Sequence, residues 1–227
     1  MRRLTLLLAL TCLSIGLVAH ASDNGAKLSP LNQKILSFCK KSVGKKVGDG
    51  QCADLAYLAL MQSGAESPDD FRDNPLPGDY VWGELIYGHK MDAGKHMETG
   101  DRKAVRPGDI IQMRDVIIEH QEESDEYITK ETIDADHHTA VVSSVSSDGM
   151  TYQVIEQNAN EVPTVTKGAL HLEDMKSGYI LVYRAKNDPD GDDDGAPRES
   201  QLRGDSANKS KTAKAHPHRH DRRAKGR

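Results

Sequence analysis

Aromatic side chains are scarce in this chain of 227 residues: one Trp, two Phe and seven Tyr, 4% in all. A core built on stacked rings is thereby excluded, and the interior has to be mostly aliphatic. Cysteine is almost as rare, with three residues, and beyond the first twenty positions no apolar run is long enough to cross a bilayer. No transmembrane segment is therefore expected. A net charge of −5 gives no reason to expect specific nucleic-acid binding. What is present is a 37% hydrophobic fraction and 29% charged residues, enough for one domain with a real core and part of the chain left outside it.

The first residues have their own logic. Arg2 and Arg3 precede an apolar run from Leu4 to Val18, followed by Ala19-His20-Ala21. A basic start, a short apolar stretch and an A-x-A site describe a cleavable secretory signal over residues 1–21, with an uncleaved anchor as the alternative. Cys12 sits mid-run behind Thr11, the wrong place for a lipid-modified cysteine. The expected location is secreted or periplasmic, in any case extracytoplasmic. Cleavage leaves Cys39 and Cys52, and outside the cytoplasm such a lone pair also reads as a disulfide.

Ser29-Pro30 opens a helix, Ser as N-cap and Pro at the first position. Leu31, Ile35, Phe38, Cys39 and Ser42 recur at helical spacing, Lys40 and Lys41 suit the last turn, and Gly44 ends it. Val47-Gly48-Asp49-Gly50-Gln51 is a tight loop. After it, Leu55, Ala56, Ala59 and Leu60 mark a second buried helix closed by Gly64, with Cys52 at its start. Residues 65–105 read as loop. Ile110–Met113, His138–Val145, Tyr152–Asn158 and Tyr179–Tyr183 read as strands, and Ser146–Gly149 as a hairpin turn. Helices first and strands afterwards predict an α+β domain over 28–186, helices packed on an antiparallel sheet. Residues 187–227 carry an acidic run, then Lys, Arg and His, with Leu202 as the sole apolar side chain besides alanine; this composition predicts a disordered tail.

A thiol is a useful nucleophile only as thiolate, and a helix N-terminus favours that charge. Gly50-Gln51-Cys52 places sulfur there, with the Cys52 N–H available for an oxyanion. A base is needed next, and His138 enters an apolar strand; if Ala140 and Val142 share its face, they form the small wall a cysteine requires. In Glu156-Gln157-Asn158, alternation puts Glu156 and Asn158 on one face and Gln157 on the other, so either of the first two can accept the Nδ1–H of His138.

Gly50-Gln51-Cys52 opening a helix, His138-x-Ala140-Val141-Val142 and Glu156-x-Asn158 resemble the CHAP amidase/peptidase domains of the papain-like group that includes the NlpC/P60 hydrolases. The loop Val47–Gly50, Tyr80-Val81-Trp82-Gly83 and Gly108-Asp109-Ile110-Ile111-Gln112 are also similar to the cysteine-proteinase-fold domain of the fungal Bbc1/AIM3 proteins. The resemblance covers about residues 30–185. It implies a papain-like fold with Cys52 as nucleophile, His138 as base, and Glu156 and Asn158 as orienting pair. The implied activity is cleavage of an amide or peptide bond, with a peptide or cell-wall-like substrate. Departures are Ala53-Asp54 where CHAP domains commonly carry an aromatic, and a longer acidic segment before the histidine.

That segment, Glu119 to Asp136, holds eight carboxylates and is expected to loop over or beside the site, raising the pKa of His138. Two further readings stand beside the enzyme: an inactive module that kept the fold, and a domain stapled by a Cys39–Cys52 disulfide. No cofactor and no metal is expected in the domain. Asp188-x-Asp190-x-Asp192 has the alternation of a calcium loop without its distal Glu, and His216, His218 and His220 offer a metal tract. Basic residues after Lys209 suit weak contact with anionic polymers.

Overall fold

Ser29 accepts a hydrogen bond from the Asn32 N–H at 3.0 Å and Pro30 occupies the first turn, so α1 runs over Pro30–Ser42. Its buried stripe is Leu31, Asn32, Ile35, Leu36, Cys39 and Ser42. Phe38, expected inside, is only partly buried. Gly44 turns the chain at φ 80°, a left-handed conformation that glycine adopts without cost. A reciprocal cap then opens α2, Cys52–Ser63: Gln51 N–H donates to Asp54 Oδ2 at 2.9 Å, and Asp54 N–H returns to Gln51 O at 3.2 Å. Gly64, at φ 75°, ends it.

This computed structural model describes residues 28–68, 80–123 and 128–189. The expected signal segment 1–21, the histidine tract and nearly all of the acidic and basic tail lie outside the described residues. The chain remains attached slightly beyond the expected boundary, because Asn187 bridges to Ala65 and Asp188 N–H bonds Gly64 O at 3.2 Å.

Among the described residues, seven antiparallel strands form one sheet in the order β2-β1-β7-β3-β4-β5-β6. They are β1 Glu84–Asp92, β2 Lys95–Gly100, β3 Ile110–Glu123, β4 Ile128–Val145, β5 Thr151–Gln157, β6 Val165–His171 and β7 Met175–Arg184. The α+β class is as the sequence predicts, but sheet dominates and extends well past the predicted strands. Residues 84–100, which read as loop, are a hairpin turning at Ala93-Gly94. The acidic segment, expected as a loop, is largely strand: β3 and β4 continue as a paired ribbon past Arg114↔His137 to Glu123↔Ile128. Val165–His171 is a further strand that no sequence signal assigns.

Apolar residues sit on both faces of this sheet. Ile110, Val141, Ile155, Val165 and Tyr183 pack with both helices and Trp82. Their neighbours Ile111, Val142, Val154 and Val182 face a second core with Ile118, Leu170, Leu172 and Met175. Full burial of one such aliphatic side chain is worth about 2 kcal/mol. One buried carboxylate ties the layers together. Asp109 accepts from Arg184 Nε and Nη2 at 2.9 and 2.7 Å, from Asn32 Nδ2 at 2.9 Å and from Arg106 N–H at 2.8 Å, linking α1 to the start of β3 and the end of β7.

Candidate active site

Cys52 is the first residue of α2, where N–H groups lack intrahelical partners. One buried side chain reaches across to the loop that delivers it, beside backbone bonds of Gly44 and Lys45 with Val165. Gln157 accepts from Val47 N–H at 2.7 Å and donates to Val47 O at 2.9 Å and Gln51 O at 2.8 Å. Gln157 is fully buried, and all three bonds reach across more than a hundred residues. Alternation sends it to the opposite face from Glu156, as the structure has it, but assigns it no task. Its task is to fix the turn that precedes the sulfur.

His138 is delivered by β4 and Glu156 by β5. Ala140 pairs with Glu156, so His138 lies diagonally two residues away on the neighbouring strand, within reach of a long side chain. His138 Nε2 and Glu156 Oε2 are 2.9 Å apart, both groups largely shielded from water. The expected bond is through Nδ1; with Nε2 engaged by the carboxylate, Nδ1 is the nitrogen left for the sulfur. His138 is also the side chain that acts on the Cys52 thiol, so thiol, imidazole and carboxylate follow one another.

The charges follow. Burial opposes the thiolate of Cys52, but the hydrogen bond and charge of His138, with backbone bonds at Thr139 and Ala53, outweigh it and lower the thiol below its ordinary range. Burial likewise opposes the imidazolium, and bonds to Cys52 and Glu156 with their charges push His138 up to about 9. Both shifts favour the charged pair, thiolate and imidazolium. Glu156, rather than the acidic ribbon expected to loop beside the site, is the carboxylate responsible. Cys39 behaves oppositely: it is fully buried in the helix core, burial pushes its thiol up to about 12, and both cysteines are free thiols. The disulfide staple is not formed.

β5 ends at Gln157, and Asn158 follows in a left-handed turn at φ 63° that leads into the next loop. The small apolar wall also differs from expectation: Ala140 and Val142 line the second core, while α2 is backed by Val141 and Ile155. Two supporting residues escaped sequence reasoning. Gln112 accepts from Trp82 Nε1 at 3.1 Å and Thr139 Oγ1 at 3.2 Å and donates to His138 O at 3.2 Å, fixing the backbone of the histidine. Gly168 on β6 leaves room for Glu156: a Cβ there would collide with its Oε1. The visible signals are a glutamine inside an apolar strand and a glycine inside β6.

The family model described as the AIM3/BBC1 cysteine proteinase-fold domain matches residues 29–188. The chain belongs to this family. In the AIM3/BBC1 domain the match takes in both helices, all seven strands and the Cys52–His138–Glu156 line. A curated relative is "Altered inheritance of mitochondria protein 3" of Debaryomyces hansenii, 25% identical over 167 residues, 70% of this chain. The chain spans only 16% of that protein's length. Among solved structures, the crystal structure of Ly7917 is similar at a TM-score of 0.38 and 14% identity, covering 67% of this chain and 62% of that one. The crystal structure of Ly7917 with the hydrolyzing product of MDP gives a TM-score of 0.40 at the same identity and coverage.

Proposed function

We propose that this AIM3/BBC1-type domain is a papain-like thiol hydrolase, of the kind found in CHAP and NlpC/P60 domains, that cleaves an amide or peptide bond. The observation that carries the reading is the arrangement itself: Cys52 opens α2, His138 acts on its thiol, and Glu156 lies 2.9 Å behind the ring. The thiolate of Cys52 adds to the substrate carbonyl, and the electron pair moves to oxygen. The Cys52 N–H at the start of α2 is the donor aimed at that oxyanion. As the intermediate collapses, His138 gives its proton to the departing amine and an acyl-thioester remains. Neutral His138 then takes a proton from water, hydroxide adds to the thioester, and the sulfur leaves as thiolate. Glu156 holds the ring in register and balances its charge; it is a positioning residue.

The substrate class that fits is a peptide, a cell-wall-like peptide included, met outside the cytoplasm after export through the segment 1–21. Cys52 is partly exposed, as attack on a macromolecular substrate requires. The deciding experiment is labelling of the reduced native protein with an electrophilic peptide mimic near neutral pH, mapped by mass spectrometry. Label is expected on Cys52, none on Cys39, and none anywhere in Cys52→Ser. A native Cys52 that stays unmodified while the denatured protein is labelled removes the hydrolase reading.

A further inference from the structure

At the opposite end of the sheet three ligating side chains converge. His120 on β3, His171 at the end of β6 and Asp174 in the short turn Leu172–Asp174 each offer an atom within 4.8 Å of the others. His120 Nδ1 and Asp174 Oδ2 are 2.6 Å apart. The imidazoles of His120 and His171 stack with centroids 3.5 Å apart and planes 2° from parallel. Glu122 Oε1 lies 3.5 Å from His120 Nε2, a buried nitrogen that makes no hydrogen bond of good geometry. His171 Nδ1 has a weak neighbour, Thr151 Oγ1, at 3.5 Å. No short spacing in the sequence announces this group, because the fold brings it together from three elements.

We infer that His120, His171 and Asp174 form a divalent-cation site of the zinc class, three protein ligands with the fourth position open to water. Two imidazoles and a carboxylate oxygen are a donor set suited to that borderline ion. Tetrahedral bonds of about 2.0–2.1 Å place donor atoms about 3.3 Å apart. The donor atoms already lie within 4.8 Å of one another, and the His120–Asp174 pair, 2.6 Å apart, opens as the ion replaces the shared proton. The rings must also tilt from parallel so that their lone pairs converge, and all three side chains are half-buried at the surface rather than locked in a core. The site is remote from the thiol. Met113 pairs with His138, and His120 lies seven residues further along β3, about 23 Å at about 3.3 Å per residue. Its role is a clip: it pins the ribbon end of β3 to the β6–β7 turn, next to Leu172 and Met175 of the second core.

The test uses the full chain after chelation, with Cys52→Ala and with His216, His218 and His220 replaced by Ala, so that neither thiol nor tail competes. Titration with zinc chloride against a chromophoric chelator is expected to give one equivalent bound and a higher melting temperature. His171→Ala and Asp174→Asn are expected to abolish both effects. Should either variant fail to fold, carbethoxylation mapping of the parent protein decides: zinc is expected to protect His120 and His171 and to leave exposed His96 reactive. Equal modification of His120 and His171 with and without zinc, or an unchanged equivalent in a folded Asp174→Asn, overturns the assignment. Neither result bears on Cys52 labelling.

Discussion

Replacing Glu156 by Gln removes a charge from behind His138 while keeping shape and an acceptor oxygen. Unit charges about 4 Å apart interact by about 4 kcal/mol at an effective dielectric of about 20. The two side chains are 11% and 14% exposed, so solvent screens part of this. The surviving neutral hydrogen bond recovers more. A net loss of about 1.5–3 kcal/mol remains, or roughly one to two pKa units on His138. The sign runs one way. In the parent, His138 keeps its proton until pH rises through about 9, and the Cys52 thiolate persists down to a pH below the ordinary thiol range. In the Glu156→Gln variant the imidazolium is lost at lower pH and the thiolate requires higher pH, so the window narrows from both sides. The assay is the iodoacetamide rate of Cys52 across pH 4–10, followed by peptide mass spectrometry. The half-rate pH is expected to rise by about one unit or more. Cys39 is an internal blank, since its thiol is buried and pushed up to about 12. Superimposable profiles for the two proteins would refute the carboxylate's part in the line, and with it the electrostatic account of the site.

Two further outcomes follow from the same geometry. Gly168→Ala places a methyl against Glu156 Oε1; the alkylation profile is expected to move in the direction of Glu156→Gln, with a stability loss of about 1 kcal/mol, checked by pairing the pH profile with urea denaturation. Gln157→Ala removes three buried hydrogen bonds to the main chain of Val47 and Gln51 and is expected to cost about 2–4 kcal/mol in denaturant unfolding while slowing Cys52 alkylation, whereas an unaltered melting curve would show that the loop is fixed by something else.

Local signals are strong where a few residues decide an element by themselves. Ser29, Pro30 and Gly44 bound α1, and Gly64 closes α2, because capping is settled within one turn. His138 and Glu156 are readable as strand residues flanking a short turn, and their meeting follows from hairpin register. The missed strands lack a burial pattern to read. Every residue of β2 is exposed, and the outer half of the β3–β4 ribbon carries charges on both faces, so neither shows an apolar alternation. Such segments are strands because a neighbour supplies hydrogen bonds, which is a tertiary fact. At Asn158 the converse holds: alternation extends one residue past the last rung of β5, into a left-handed turn. His120, His171 and Asp174 cannot be grouped at all without knowing that β3 and the β6–β7 turn meet.

The imidazole and its carboxylate are carried by adjacent strands of one hairpin, whereas the sulfur arrives on a separate helix. The base and its partner therefore share one hairpin, far across the sheet from edge strand β2. Reactivity becomes a matter of how closely that helix is held to the hairpin, by its packing on Val141 and Ile155 and by the Gln157 amide at its entry.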